Sequence, residues 1–181
     1  MKIYTRKGDD GTTGLLYGGR VSKDSELPHA YGAVDEAQAV MGIARAHADR
    51  GSELDELLIG LERDLYVLMA ELATDPGNRH KLAAGQTLVT ADMVEVLEHQ
   101  IDDIGTRFEA PTEFVVPGQN RVSAQLDVAR TVARRAERDA IAAAVPGSAA
   151  VPYLNRLSDL LWTLARWQEG TSLPTRSVGP A

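Results

Sequence analysis

Cysteine is missing from all 181 residues, so disulfides, thiolate zinc sites and cysteine nucleophiles are excluded together. Histidine is sparse: His29, His47, His80 and His99 are scattered without metal-binding spacing, and no serine, histidine and aspartate follow in a hydrolase context. No stretch approaches the ~20 apolar residues of a membrane span. Met1-Lys2-Ile3-Tyr4-Thr5-Arg6 leads into glycines rather than an apolar run. A soluble, cytoplasmic protein without a membrane partner is therefore expected. Internal repeats and low-complexity blocks are absent, as are the Walker A loop and the G-x-G-x-x-G dinucleotide fingerprint. A chain of this size buries about 70% of its extended surface, so residues 1–181 suit one domain with a full core.

Glycine, by contrast, is concentrated at one end. Gly8, Gly11, Gly14, Gly18 and Gly19 lie within the first nineteen residues, interleaved with Thr5, Arg6, Lys7, Thr12, Thr13, Arg20 and Lys23. Glycine lets backbone N–H groups converge, and hydroxyls and cations add donors, so the segment suits a polyphosphate. The competing reading is a mobile N-terminal arm. Residues 1–23 carry Lys2, Arg6, Lys7, Arg20 and Lys23 against Asp9 and Asp10, a net +3, whereas the chain as a whole carries −7. A cationic arm on an acidic body favours an anionic small ligand and not nucleic acid as a bulk partner.

Beyond this arm (residues 1–24) the apolar residues follow a helical period. Pro28 suits the first turn of a helix that carries Ala30, Ala33, Val34, Ala37, Met41 and Ala44 to about His47. Its alanines suit close packing on a neighbour. Leu54, Leu57, Leu58, Leu61, Leu65, Leu68, Met69 and Leu72 form a second stripe, stopped by Asp75-Pro76-Gly77-Asn78. Residues 79–89 read as a loop. Thr90 can cap a third helix with Met93, Val94, Leu97, Ile101 and Ile104. After the interruption at 111–119, a fourth helix runs from about Asn120 to Ala144 and a fifth from Pro152 to Gly170. Residues 28–170 thus predict an all-α, five-helix antiparallel bundle, and 171–181 a tail.

The fourth helix departs from ordinary amphipathic patterning. Arg130, Arg134 and Glu137 fall at i, i+4 and i+7 and share one face, with Asp127 and Arg138 close by. A charge run of this kind is often only a solvated face. Yet arginine's planar fork suits bidentate phosphate recognition, and a neighbouring carboxylate can orient it or hold Mg²⁺ through water. Combined with the glycine arm, the pattern favours a ligand site. On the fifth helix Asn155 and Asp159 lie one turn apart beside a Leu157, Leu161, Leu164 stripe, a position equally open to a cap or a solvent-facing residue.

Taken in order, six segments resemble the PduO-type ATP:cob(I)alamin adenosyltransferases. They are Thr5-Arg6-Lys7-Gly8-Asp9-Asp10-Gly11-Thr12-Thr13, Gly19-Arg20-Val21-Ser22-Lys23, Ala30-Tyr31-Gly32-Ala33-Val34-Asp35-Glu36, Phe114-Val115-Val116-Pro117-Gly118, Ala129 through Arg138, and Leu154-Asn155-Arg156-Leu157-Ser158-Asp159. The resemblance implies a homotrimer with active sites between subunits. It implies ATP, Mg²⁺ and cobalamin as ligands, reduced Co(I) attacking the 5′-carbon of ATP and triphosphate leaving. The arm, including Thr5, Arg6, Gly8, Asp9, Gly11, Thr12, Thr13 and Lys23, would fold over the triphosphate. Arg130, Arg134 and Glu137 would contact ATP or its Mg²⁺, with Glu137 toward the metal, and Asn155 would hold the nucleotide. Asp35 would pair with Arg130 across the interface, and Phe114 would close the lower face of the corrin ring. A cobalamin-dependent client enzyme and a flavin-type reductase are the implied protein partners. Gln119, where the family commonly has glycine, Ala37-Gln38 after Asp35-Glu36, and the lack of an arginine before Ala30 depart from the pattern on the corrinoid side and at the interface.

Two other classes compete. A non-catalytic ATP- or cobalamin-binding chaperone or sensor would carry the same sites, and only turnover separates it from an enzyme. A ferritin-like di-iron bundle needs paired Glu-x-x-His motifs; the single match, Glu26-Leu27-Pro28-His29, contains proline.

Overall fold

A computed structural model describes residues 3–177. Among them the chain is mostly helical, with a small two-stranded sheet: β1 (Thr12–Gly14), β2 (Arg20–Ser22), α1 (Glu26–His47), α2 (Glu53–Leu72), α3 (Ala91–Gly105), α4 (Arg121–Ala143) and α5 (Ala150–Glu169), plus 3-10 turns at Pro76–Lys81 and Thr175–Ser177.

The helices begin where local chemistry allows. Pro28 lies in the first turn of α1, where its missing N–H forfeits no intrahelical bond. Ser52 and Thr90 cap α2 and α3 by accepting from Asp55 N and Met93 N, each at 3.3 Å, and Asn120 forms a reciprocal capping box with Ser123 at the head of α4. Gly170, at φ 72°, lets the chain leave α5.

The core is centred on α4 and α5. Small faces allow α1 to lie along α4: Ala33, Ala37 and Ala44 are buried on one helix, Ala129, Ala133, Ala136 and Ala140 on the other, and this is the most extensive helix pair. Leu154, Leu157, Leu160, Leu161 and Leu164 of α5 are fully buried; α5 contacts α4, α3 and α2. The third helix buries only Leu97 and Ile104 and packs on α5 alone among well-contacted neighbours.

Three expectations need correction. The segment 79–89 opens with a 3-10 turn, because Asp75 accepts from Gly77 N at 2.8 Å and Pro76 presets the first residue. The N-terminal arm contains an antiparallel hairpin, Thr12 pairing with Ser22, Thr13 with Val21 and Gly14 with Arg20. The presumed tail folds back as far as residue 177: Val115 and Pro174 form an antiparallel bridge, supplying partners for loop backbone that no helix reaches. Residues 178–181 of that tail lie outside the described residues.

The α1–α2 turn carries a pH-dependent brace. Buried Asp55 accepts from Gly51 N (2.9 Å) and Arg45 Nε (2.8 Å). The Gly51 amide first, then the Arg45 guanidinium, hold its carboxyl below the usual range. Because the folded pKa is depressed, the stabilisation is complete above the ordinary aspartate value of about 3.9 and disappears as pH falls through the depressed value. Asp55→Asn should therefore lower the thermal midpoint near neutrality and converge on the parent at acid pH. Thermal melts followed by circular dichroism from neutral to strongly acidic buffers measure this; a constant gap at all pH values contradicts it.

Candidate functional site

The stripe read from the sequence exists on α4. Arg130 and Glu137 are half-buried and Arg134 is exposed; at ~1.5 Å per residue the row extends about 10 Å along the helix. Glu137 Oε1 accepts from Asn155 Nδ2 at 2.9 Å, so two predicted site residues, eighteen apart in sequence, meet where α4 packs on α5. Asn155 Oδ1 accepts in turn from Arg156 Nη1 at 2.6 Å. Arg156 Nε donates to Glu98 of α3 at 2.7 Å, a bond that raises the guanidinium pKa. Asn155 is thereby oriented from both sides, with its amide turned toward Glu137.

The arginines around the stripe have different tasks. Arg135 pairs with Glu36 at 2.5 Å and ties α4 to α1. Arg138 donates to the Arg134 carbonyl at 2.9 Å. Arg130 Nε donates to Asp127 Oδ1 at 3.3 Å, whereas the Arg134 side chain makes no ion pair or hydrogen bond among the described residues. Two forks are therefore presented on one helix face, one braced and one open. Asp35 is exposed and is not brought to Arg130 within the chain.

Beside Arg130 opens a cleft of about 670 Å³, bordered by the 111–117 loop, Trp162 and Thr175. Phe114, the largest apolar side chain of the loop, lies on its rim with 89% of its surface exposed. Its floor is charged: Arg166 Nη2 donates to Asp127 Oδ2 at 2.5 Å with both side chains buried. Arg166 Nε also faces Glu169 Oε1 at 2.8 Å, and the guanidinium carbon lies 5.8 Å from the Trp162 ring centre. Asp127 thus joins buried Arg166 to half-exposed Arg130 and holds the latter toward the cleft. Arg166 and Trp162 escaped the sequence reading; the available signal was a cation set among Leu161, Leu164 and Ala165, all buried.

The glycine arm is ordered by its own donors. Asp10 Oδ1 accepts from Thr12 N (3.0 Å) and Thr12 Oγ1 (2.8 Å), which lowers its pKa, the backbone bond contributing most. Lys23 Nζ donates to Gly8 O at 2.7 Å and Arg20 Nη2 to Lys7 O at 2.6 Å. A Cβ at Gly8 would lie 3.1 Å from both Thr12 O and Lys23 Nζ, so any larger residue requires the Thr12 backbone to give by a few tenths of an ångström. Arg6 sits at φ 61°, a strained conformation for a non-glycine residue. Thr5, Arg6 and Asp9 are exposed, while Thr12 and Thr13 are half-buried in β1. Gly11 turns at φ 82°.

Buried Leu15 and the Leu16 N–H, which donates to Ala73 O at 2.9 Å, anchor the hairpin at the C-terminal end of α2. Nearby, buried Glu71 accepts from Arg79 Nη2 (2.8 Å), Val89 N (2.8 Å) and Ser148 Oγ (2.6 Å). It joins the end of α2 to the turn before α5, whereas the cleft is lined by Trp162 and Arg166 in the second half of α5.

Among the described residues no group of three or more metal-binding side chains occurs. A magnesium ion held mainly by substrate phosphates and water needs only one or two carboxylates. Glu137, with one oxygen engaged by Asn155, fits that need.

The family model for cobalamin adenosyltransferase matches residues 3–168. A corrinoid adenosyltransferase of Citrobacter freundii is 41% identical over 173 residues, which cover 94% of this chain and 96% of that one. One of Mycobacterium leprae is 40% identical over 171 residues, covering 91% and 90%. Among solved structures, a phenylalanine-to-histidine variant of a PduO-type ATP:corrinoid adenosyltransferase from Lactobacillus reuteri, complexed with cobalamin and ATP, superposes with a TM-score of 0.85 at 26% identity, covering 97% of each chain.

Proposed function

Because the chain belongs to the cobalamin adenosyltransferase family, in its PduO-type branch, we propose that it transfers the 5′-deoxyadenosyl group of ATP to Co(I) of reduced cobalamin, giving adenosylcobalamin and triphosphate. The bond formed is Co–C5′ and the bond broken is C5′–O. Both electrons of the new bond come from Co(I), and the triphosphate oxygen keeps the pair of the old one. No protein nucleophile is needed. The protein's tasks are to align the two substrates, to stabilise charge gathering on triphosphate, and to control cobalt's axial ligand.

The observation that carries this reading is the row of Arg130, Arg134 and Glu137 with Asn155 bonded to Glu137. Arg130 and Arg134 would neutralise the leaving triphosphate through charge-assisted bonds. Glu137 would bind Mg²⁺ directly or through water, and Asn155 would hold the nucleotide. Magnesium would supply further charge neutralisation on the phosphates. The hairpin arm, with Lys23 and the Gly8 to Thr13 backbone, would close over the phosphates.

A cytoplasmic homotrimer of five-helix antiparallel bundles with sites between subunits completes the reading. The arm is anchored on the end of α2, whose Glu71 bonds Ser148 just before α5, whereas Phe114 lies at the cleft lined by Trp162 and Arg166 in the second half of α5. Their placement toward opposite ends of α5 favours a site completed by a neighbouring subunit. Asp35, exposed and apart from Arg130, is then available to pair with the Arg130 of another copy. Among the described residues no helix is long and apolar enough to cross a membrane. A cobalamin-dependent client enzyme and a flavin-type reductase would stand on either side of the reaction.

Anaerobic mixing with chemically reduced cobalamin and MgATP should convert the Co(I) spectrum to that of adenosylcobalamin over many turnovers. Binding without conversion would assign a carrier or sensor instead. Deleting residues 1–14 should abolish nucleotide binding while leaving the helical circular dichroism nearly intact, because buried Leu15 and the bundle remain. Unchanged ATP affinity in the shortened chain, measured by calorimetry, would return the arm to a structural role.

A further inference from the structure

Among the described residues no backbone hydrogen bond joins the loop that carries Phe114 to the helices. Its ring is exposed, so side-chain packing does not set its position. Pro111 and Pro117 lack N–H donors, and Gly118 turns at φ 110°. The backbone bonds that fix the loop come from beyond α5. Val116 N donates to Leu173 O at 2.8 Å, and Thr175 donates twice to the Phe114 carbonyl, from N at 2.8 Å and from Oγ1 at 2.9 Å. The chain reaches that point because Gly170 ends the helix and Ser172 Oγ bonds to Glu169 Oε1. Thr175 and Arg176 border the same cleft as Phe114 and Arg130, and Arg176 Nε lies 3.9 Å from Glu113 Oε2 in the loop.

We propose that residues 173–176 form a clasp that positions Phe114, with Thr175 as its principal positioning residue. The inference rests on the reading of the Phe114 ring as the group that excludes cobalt's lower ligand. A ring used against a ligand must stay within about 0.5 Å of its working place, and here that constraint reaches it through its own carbonyl. The clasp acts on the corrinoid half of the reaction and not on ATP.

Four variants test it: Thr175→Val, which loses the hydroxyl; Thr175→Ser, which keeps it; a chain ending at Ser172; and Phe114→Ala as the reference. The readouts are hydrogen exchange at the Val116 amide in the free protein, the ratio of four- to five-coordinate Co(II)alamin bound with ATP, and ATP affinity. Loss of one neutral hydrogen bond predicts a roughly two- to twelvefold fall in that ratio for Thr175→Val, with Thr175→Ser restoring it to within about twofold of the parent. The shortened chain should approach Phe114→Ala and exchange the Val116 amide at least about tenfold faster, with ATP affinity unchanged in all four. A parental Co(II) spectrum in the shortened chain, alongside a lost one in Phe114→Ala, overturns the clasp alone. A parental spectrum in Phe114→Ala itself overturns the role of the ring, and the proposal with it.

Discussion

Arg134→Ala should lower ATP-dependent turnover or apparent ATP affinity about 10- to 150-fold, the equivalent of roughly 1.5–3 kcal/mol for a lost bond to a charged group. The thermal midpoint should hardly move. Its side chain is exposed and makes no ion pair or hydrogen bond among the described residues, so truncation leaves no buried charge behind. Arg130→Ala should cost as much in turnover and somewhat more in stability. Asp127 would lose one of its two arginines, although Arg166 at 2.5 Å would still neutralise it. Arg130→Lys should also fail, because an ammonium cannot both bond Asp127 and present a planar fork to phosphate. Steady-state kinetics with MgATP, paired with thermal melts, separate these outcomes; near-parental kinetics in all three variants would remove phosphate binding from this face of α4.

Phe114→Ala should slow adenosylation more than about tenfold, over about 1.4 kcal/mol, when the reaction starts from Co(II)alamin and a reductant. An axial ligand donates electron density to cobalt and disfavours reduction to Co(I). An apolar ring in its place reverses that, since axial ligation is a lever by which proteins tune a metal. With pre-reduced Co(I) the defect should be smaller, and ATP affinity should be unchanged. The ring is 89% exposed, so its loss opens no core cavity and the variant should melt with the parent. Equal defects in both assays, or ATP binding weakened as in the arginine variants, would make Phe114 a nucleotide-side or packing residue.

The two experiments probe opposite ends of one mechanism. Arg130 borders the Phe114 cleft and also begins the stripe that runs to Glu137 and Asn155. On the proposed reading it is the residue at which phosphate recognition and the corrinoid cleft would meet, held there by Asp127 and, behind it, Arg166.

What the sequence by itself determined is local. The 3.6-residue period of the leucines and alanines marks the five helices and their buried faces, and Thr90 and Asn120 mark starts, because both signals act within a turn or two of chain. The spacing of Arg130, Arg134 and Glu137 places them on one face for the same reason. The tertiary structure decided everything that depends on docking. Asn155 could be a cap or a surface residue until α5 lay on α4 and its amide met Glu137. Arg166 goes unmarked in the sequence, because its partner Asp127 lies 39 residues away and meets it only when α5 packs on α4. The hairpin in the arm is not legible until Asp10, Arg20 and Lys23 bond to its backbone and hydroxyls. The segment after Gly170 reads as a tail until Thr175 bonds to Phe114, 61 residues earlier. Periodicity states which side of a helix avoids water; it carries no record of which polar group stands opposite, because that is set by how whole helices pack.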